Sequence, residues 1–407
     1  MRVNQKRGNK SLLSFGYVST LESPTSRGYF SGEDTAMKSK VYFTTFRVRV
    51  GESQTHKLQR LMDKAGFKDM NLEGKFVAIK MHFGEWGNLT FLRPNWARAV
   101  ADKVKEQGGR PFLTDCNTLY PGYRKNALDH LTCAEMNGFS TASTGCHIII
   151  GDGLKGTDEV DVPVKGGELC QEAHIGRAIM DADAFISLTH FKGHEETGFG
   201  GAIKNIGMGC GSRAGKMAQH NDGKPIVDED KCRDCHACAR ECGSDAISYA
   251  SGKAHIDQDL CKGCGRCIGA CPFDAISPQD SSSNTKLGMK IAEYAKAVVD
   301  GRPCFHIALI QDVSPNCDCH SENDGPILPD IGMLCSFDPV ALDQACVDLC
   351  NKATPIEDSQ LGEAIKEHGE TGNHFHDSNP RTDSESALAH AEKIGLGSRE
   401  YELIKMN

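Results

Sequence analysis

The sequence predicts an α/β fold: a mainly parallel sheet flanked by helices, interrupted by a small cysteine-rich α+β insert. Two observations predict it. Apolar strand-like and helix-like segments alternate along most of the chain, the cadence of parallel strands joined by helical crossovers. Between residues 224 and 279 that cadence stops, two cysteine runs 29 residues apart take its place, and afterwards it resumes.

Residues 1–36 are rich in Ser, Gly, Arg and Lys and carry no sustained periodicity. They are expected to be a disordered extension, since the apolar patch from Leu12 to Val18 is too short and interrupted for a signal peptide. Ordered pattern begins at Met37, with Val41, Phe43, Phe46, Val48 and Val50. Phe76 to Met81 reads as a buried strand. Trp96 to Gln107 has helical spacing and stops at Gly108-Gly109, a natural C-terminal cap. Phe112-Leu113 opens a strand, Ala127 to Met136 is helical, and Cys146 to Ile150 is a strand. Glu172 to Met180 is expected to be a helix and Ala184 to Leu188 a strand. After the cysteine runs come a helix from Thr285 to Val299, a strand from Phe305 to Ile310, and helices from Pro339 to Cys350 and Ser384 to Ile394. Residues 37–223 and 280–407 are therefore expected to form one discontinuous α/β host domain, with 224–279 inserted into it.

The runs are Cys232-x2-Cys235-x2-Cys238-x3-Cys242 and Cys261-x2-Cys264-x2-Cys267-x3-Cys271, the second followed by Pro272. This is the ligand spacing of a bacterial two-cluster ferredoxin, in which the fourth cysteine of each run ligates the other cluster. The insert is thus expected to be a ferredoxin-like domain with two [4Fe-4S] clusters. One cluster would take Cys232, Cys235, Cys238 and Cys271, and the other Cys261, Cys264, Cys267 and Cys242. An internal repeat supports two half-domains, because Asp245-Ala-Ile-Ser248 recurs as Asp274-Ala-Ile-Ser277. Where the second run has Pro272 the first has Gly243, which can make the same turn. Structural zinc fits poorly, since its cysteine pairs are usually separated by a longer gap.

Composition narrows the function classes. The 407 residues are 39% hydrophobic and 25% charged, as in ordinary soluble proteins. A net charge of −9 argues against nucleic acid as the main partner, and no apolar run approaches a membrane span. Nineteen cysteines without a secretory signal point to a reducing, cytoplasmic setting, where those outside the runs would be small buried hydrophobes.

In open α/β sheets ligands bind beyond the carboxyl ends of the strands. Here those ends carry Lys80, His82, Gly84 and Glu85; Thr114, Asp115, Asn117 and Tyr120; Gly151, Asp152 and Gly153; His190, Lys192 and His194; and Asp312. His82, Asp115, His190, Lys192 and Asp312 are expected around one concavity. With Lys204, this inventory is basic and hydrogen-bonding, which suits an anionic substrate. The glycine-dense stretch 198–215 fails the spacing of a nucleotide-binding loop, because only three residues separate Gly211 from Gly215 and Met217 follows Lys216. It is either a tight loop leading to the insert or a nest of backbone N–H groups for an anion. Cys317-Asp-Cys319-His320 could chelate a further metal, its thiols and imidazole being soft to borderline ligands. Cys210 is a candidate ligand or nucleophile.

Lys80-Met-His-Phe-Gly-Glu85, Asp115-Cys-Asn-Thr-Leu-Tyr120, His190-Phe-Lys-Gly-His194, residues 198–219 and Asp318-Cys-His320 together resemble the domain of unknown function 362 family over about residues 38–351. The resemblance implies an iron–sulfur protein with an α/β host domain that often carries a two-cluster ferredoxin module. It implies no reaction.

The expected function is that of an iron–sulfur redox protein whose insert exchanges electrons with a site at the strand ends. His82, His190 and His194 are the acid–base candidates, and Lys80, Asp115, Asn117, Lys192 and Lys204 the binding candidates. Its partners would be a redox protein (a ferredoxin, flavodoxin or oxidoreductase) or a small anionic substrate. The alternatives are a non-catalytic electron carrier or adaptor, and a metal-binding cofactor-maturation protein using Cys317, Cys319 and His320.

Overall fold

The central strands of the main sheet bury both faces, while its edge strands stay partly exposed. The computed structural model describes residues 38–406 except 120–121, 221–223, 250, 262, 264 and 279–283. The expected extension 1–36, Tyr120 and Cys264 lie outside the described residues.

Strands β1 (Ser39–Thr44), β2 (Phe76–Lys80), β3 (Arg110–Asp115) and β4 (His147–Ile150) come first. A hairpin of β5 (Glu159–Pro163) and β6 (Glu172–Gly176) follows, then β7 (Ala184–His190) and a small hairpin of β8 (Lys192–His194) and β9 (Gly198–Gly200). The cysteine-rich segment holds β10 (Pro225–Val227), β11 (Ile247–Ser248), β12 (His255–Ile256) and β13 (Ile276–Pro278). The chain ends with β14 (Cys304–Ile310), β15 (Gly332–Ser336) and β16 (Tyr401–Lys405).

Eight of these form one sheet in the order β16-β1-β15-β14-β7-β2-β3-β4. All neighbours run parallel except β15, which is antiparallel to both β1 and β14. Alternation along the strands decides which layer each side chain joins. Val77, Ile79, Ile186, Ile307 and Leu309 pack with the helices Gln54–Lys64 and Pro94–Glu106. Ala78, Phe185, Ala308 and Ile310 pack with the helices Ala202–Cys210, Asn284–Val299 and Pro339–Cys350. With both faces covered, β7 and β14 read as continuous apolar runs, as buried parallel strands do.

Two sequence expectations need correction. Glu172 to Met180 is not one helix: Glu172–Gly176 is a strand, and only Arg177–Met180 is helical. Ala173 and Ile175 are both fully buried, the period of two that a strand paired with β5 imposes. The glycine-dense stretch is not a loop either. It is β9 followed by the helices Ala202–Cys210 and Arg213–His220.

The cysteine-rich segment repeats its backbone at an offset of 29 residues. Asp234, His236 and Asp245 have positive φ, as do Gly263, Gly265 and Asp274. Short helices sit at Ala237–Arg240 and Arg266–Ala270. The strands pair across the halves, β10 with β13 and β11 with β12, so each half completes the other. Asp228 N donates to Ala275 O at 2.7 Å, and its repeat mate Asp257 N donates to Ala246 O at 2.8 Å. The segment's small core includes Cys232, Cys238, Cys267 and Cys271 and also takes in Leu119 and Met217 from outside it.

Candidate functional site

From β2 the chain runs outward through β3 to β4, then returns to lay β7 on the other side of β2. The order therefore reverses between β2 and β7, and connections leaving in opposite directions open a crevice at the carboxyl ends there. A cavity of about 420 Å³ lies at this point. Of the residues expected to carry chemistry, Lys80, His82, Asp115, His190, Lys192, His194, Lys204, Cys317, Cys319 and His320 line it.

Three expected residues do not. Asn117 is buried beneath, donating from Nδ2 to Asp152 Oδ1 at 2.8 Å and to Gly153 O at 2.9 Å. Asp312 turns away in a left-handed conformation (φ 44) and faces Arg93 at 3.6 Å. Cys210 is fully buried and burial pushes its thiol up to about 11, so it is an inert thiol at neutral pH.

The floor of the cavity is an ion pair. Lys80 Nζ lies 3.0 Å from Asp115 Oδ1 and donates to Asn205 Oδ1 at 2.9 Å. Asn205 Nδ2 reaches the carbonyl of Lys80 at 3.2 Å and Thr189 Oγ1 at 3.0 Å, so one amide ties β2 to β7 where they part. Burial works to raise the Asp115 carboxyl, but Lys80, His82 and His130 outweigh it and hold it below the usual range.

The histidines differ in what they can do. His82 accepts from Gly84 N–H at Nδ1 (2.9 Å), while Arg124 Nη1 faces its Nε2 at 2.8 Å. Burial first, and the Arg124 charge second, push His82 down to about 3, so it is neutral at pH 7 and a weak base. His190 places Nδ1 2.9 Å from Asp318 Oδ2 and Nε2 2.8 Å from Gln311 O. Both partners are acceptors, so both ring nitrogens are committed and the ring holds the β7 end to the 317–320 turn. His194 accepts N–H groups from Glu196 and Thr197 at Nδ1, which leaves Nε2 toward Glu195 at 3.6 Å.

Above this floor the turn from Cys317 to His320 is closed by His320 N donating to Cys317 O at 3.2 Å. The two thiols share a hydrogen bond, and Lys204 Nζ donates to Cys317 Sγ at 3.5 Å. That shared bond, with Lys204, Lys192 and His194 beside it, holds Cys317 well below an ordinary thiol despite burial, and Cys319 well above. Glu195 Oε1 lies 2.9 Å from His320 Nε2.

Arg124, Glu195, Glu196, Lys216 and His220 also line the cavity; none of them is a site candidate from the sequence, Lys216 entering only through the failed nucleotide-loop spacing. Arg124 pairs with Glu85 at 2.8 Å, both buried. Counting them changes the electrostatics. Arg124 and four lysines face Asp115, Glu195, Glu196 and Asp318, so the wall is close to charge balance rather than basic.

A much smaller pocket, about 10 Å³, is lined by Cys232, Cys235, Cys238 and Cys271, with Tyr249, Phe273 and Ile276. Backbone N–H groups point at sulfur in both halves: Ala275 N to Cys271 Sγ at 3.3 Å, Ala246 N to Cys242 Sγ at 3.4 Å. All described cysteines are free thiols.

The model of the family described as a domain of unknown function, DUF362, matches residues 77–348, more than half of the chain and nearly all of the geometry above. The chain belongs to this family. No curated protein matches it. Among solved structures, this DUF362 protein is similar to a Thermotoga maritima protein at 11% identity and a TM-score of 0.35, over 72% of this chain and 58% of that one. It is also similar to the lactate racemase apoprotein from Thermoanaerobacterium thermosaccharolyticum at 12% identity and a TM-score of 0.32, over 70% of this chain and 53% of that one. The DUF362 chain thus spans little more than half the length of either, and neither likeness bears on its reaction. Among its described residues no helix is long and apolar enough to cross a membrane.

Proposed function

We propose that this DUF362 protein is an iron–sulfur redox protein, with the segment 224–279 as a two-cluster ferredoxin-like module and the cavity between β2 and β7 as the site it serves. The observation that carries this is the cavity lined by Cys232, Cys235, Cys238 and Cys271: three thiols of one run meet the last thiol of the other, as crossed ligation requires. Those four would hold one cluster. Cys261, Cys264, Cys267 and Cys242 would hold the second, Cys264 lying outside the described residues. Bound there, each [4Fe-4S] cluster supplies one-electron transfer. The residues suit such a group. N–H groups aimed at sulfur favour thiolate, and hydrogen bonds of this kind tune cluster potential. A single tetrahedral zinc would draw its thiolates to roughly 3.8 Å from one another. Among the described residues, no three of these thiols gather within 4.8 Å.

Two features support electron exchange with the host cavity. Leu119 lines the cavity and also packs in the core that holds Cys232 and Cys271. Cys235 is exposed, which would give a redox partner protein a place to dock. Lys192 and Lys204 would orient a carboxylate or phosphate, while the balanced remainder of the wall suits a small molecule charged at one end only. Without such a substrate, the same construction would serve as a carrier or adaptor.

Anaerobically prepared protein is expected to bind about eight irons per chain, with the broad visible absorption of cubane clusters that bleaches on reduction. An iron content near zero after anaerobic reconstitution would overturn the reading.

A further inference from the structure

We propose that Glu195, Cys319 and His320 form a mononuclear site for a divalent metal ion of borderline hardness, with an open coordination position facing the cavity between β2 and β7. One ligand atom from each lies within 4.8 Å of the other two. Ligands with bonds of about 2.0–2.3 Å on one tetrahedral ion stand roughly 3.3–3.8 Å apart, so side-chain shifts of about an ångström close the shell. The ion would displace the Cys319 proton to solvent on binding, and the resulting thiolate together with the Glu195 carboxylate would neutralise a divalent charge. The mixture of sulfur, nitrogen and oxygen suits zinc or ferrous iron rather than magnesium or calcium.

The ligands come from two elements that the fold holds rigidly. Glu195 follows β8, and Cys319 and His320 belong to the turn after β14. The turn is anchored at its backbone, with Asn88 Nδ2 donating to His320 O at 3.0 Å and Arg124 Nη2 to Cys319 O at 3.2 Å. Glu195 is oriented by the Cys317 N–H, which donates to Oε2 at 3.2 Å. Anchoring of this kind around a ligand set is what holds metal sites in shape. Glu195 Oε1 and His320 Nε2 now share a hydrogen bond, and an ion would take the place of that proton.

The set differs from the Cys317, Cys319 and His320 expected from the sequence. Cys317 is not among the three gathered atoms and is engaged by Lys204 instead. Three protein ligands leave a fourth position free, the arrangement of catalytic rather than structural sites. An anionic oxygen of a bound molecule can take that position, with Lys204 beside it.

The proposal rests on reading this cavity as the reaction site, but its test is read on zinc and not on iron, so the two readings fail separately. Full-length protein is equilibrated anaerobically with Zn2+ alone and freed of excess. Zinc and iron are then counted per chain, and the zinc neighbours are identified by X-ray absorption at the zinc edge. The expected result is one zinc with one sulfur neighbour and the rest nitrogen or oxygen. Cys319→Ser should lose it, and Glu195→Gln and His320→Ala should each weaken it at least tenfold, all three with unchanged iron. His320 is 45% exposed, so its replacement leaves the core packed even if Cys319→Ser misfolds. Undiminished zinc in the His320→Ala and Glu195→Gln proteins, or a shell of sulfur only, would overturn the proposal by placing the ion among the cysteine runs.

Discussion

His306 lies within β14 with Ser187 Oγ 2.9 Å from its Nδ1, and burial alone pushes it down to about 3. His82 and His130 are pushed equally low, burial leading in both. In the unfolded chain such rings titrate near 6.5. Their stabilising contribution is therefore complete above about pH 6.5 and is lost as pH falls toward 3, because the unfolded state alone takes up the protons. Each ring adds a slope of about 1.4 kcal/mol per pH unit across that window. His306→Asn should flatten the dependence by about one proton, measured as denaturation midpoints from pH 7 to pH 5. An unchanged slope would show that His306 is already protonated in the fold. At this scale the sequence named the right residue types at the strand ends, but not their roles. His190 and His82 were both acid–base candidates, yet one is committed at both nitrogens and the other is too weak a base, since partners and burial are properties of distant segments.

The glycines of the stretch 198–215 show how an element's packing can imitate a ligand motif. Gly207 sits in the helix Ala202–Cys210 where it crosses Asn284–Val299, and a Cβ there would fall on the Ile291 carbonyl. A Cβ at Gly209 would meet the Lys80 ammonium group, and one at Gly215 the carbonyl of His174. The residues are small because backbones and the buried Lys80 approach closely, not because a phosphate does. Gly207→Ala should cost about 1–3 kcal/mol by forcing the two helices apart. Thermal melting would register that as a drop of several degrees, while a melting temperature equal to that of the parent would mean that the helices yield freely. The strand from Glu172 to Gly176 was missed for a related reason: five residues beside a helical turn carry too short a period to outweigh the spacing around them.

For the molecule as a whole, the decisive feature is that distant parts of the chain complete one another. In the cysteine-rich segment β10 pairs with β13 and β11 with β12, and Cys271 lines a cavity with Cys232, Cys235 and Cys238. Cys271→Ser is therefore expected to damage the cluster built on the first run and spare the one built on its own. Electron paramagnetic resonance of the reduced protein separates the two signals, and selective loss of the Cys261–Cys267 cluster would refute crossed ligation. The sheet is likewise closed from afar, β16 pairing with β1, neither partner being evident from local pattern alone.

By itself the sequence determined the α/β class, the family and the position of the cysteine-rich segment, because residue spacing and apolar periodicity are local and survive in one dimension. It also placed reactive side chains at strand ends, since strand boundaries are local as well. The tertiary structure alone decided which ends converge. It brought Lys80, Asp115 and His190 to the crevice between β2 and β7, turned Asp312 and Asn117 away, and added Arg124 and Glu195. Strand order and the pairing of buried charges depend on contacts between residues far apart in the chain, and no local pattern encodes those.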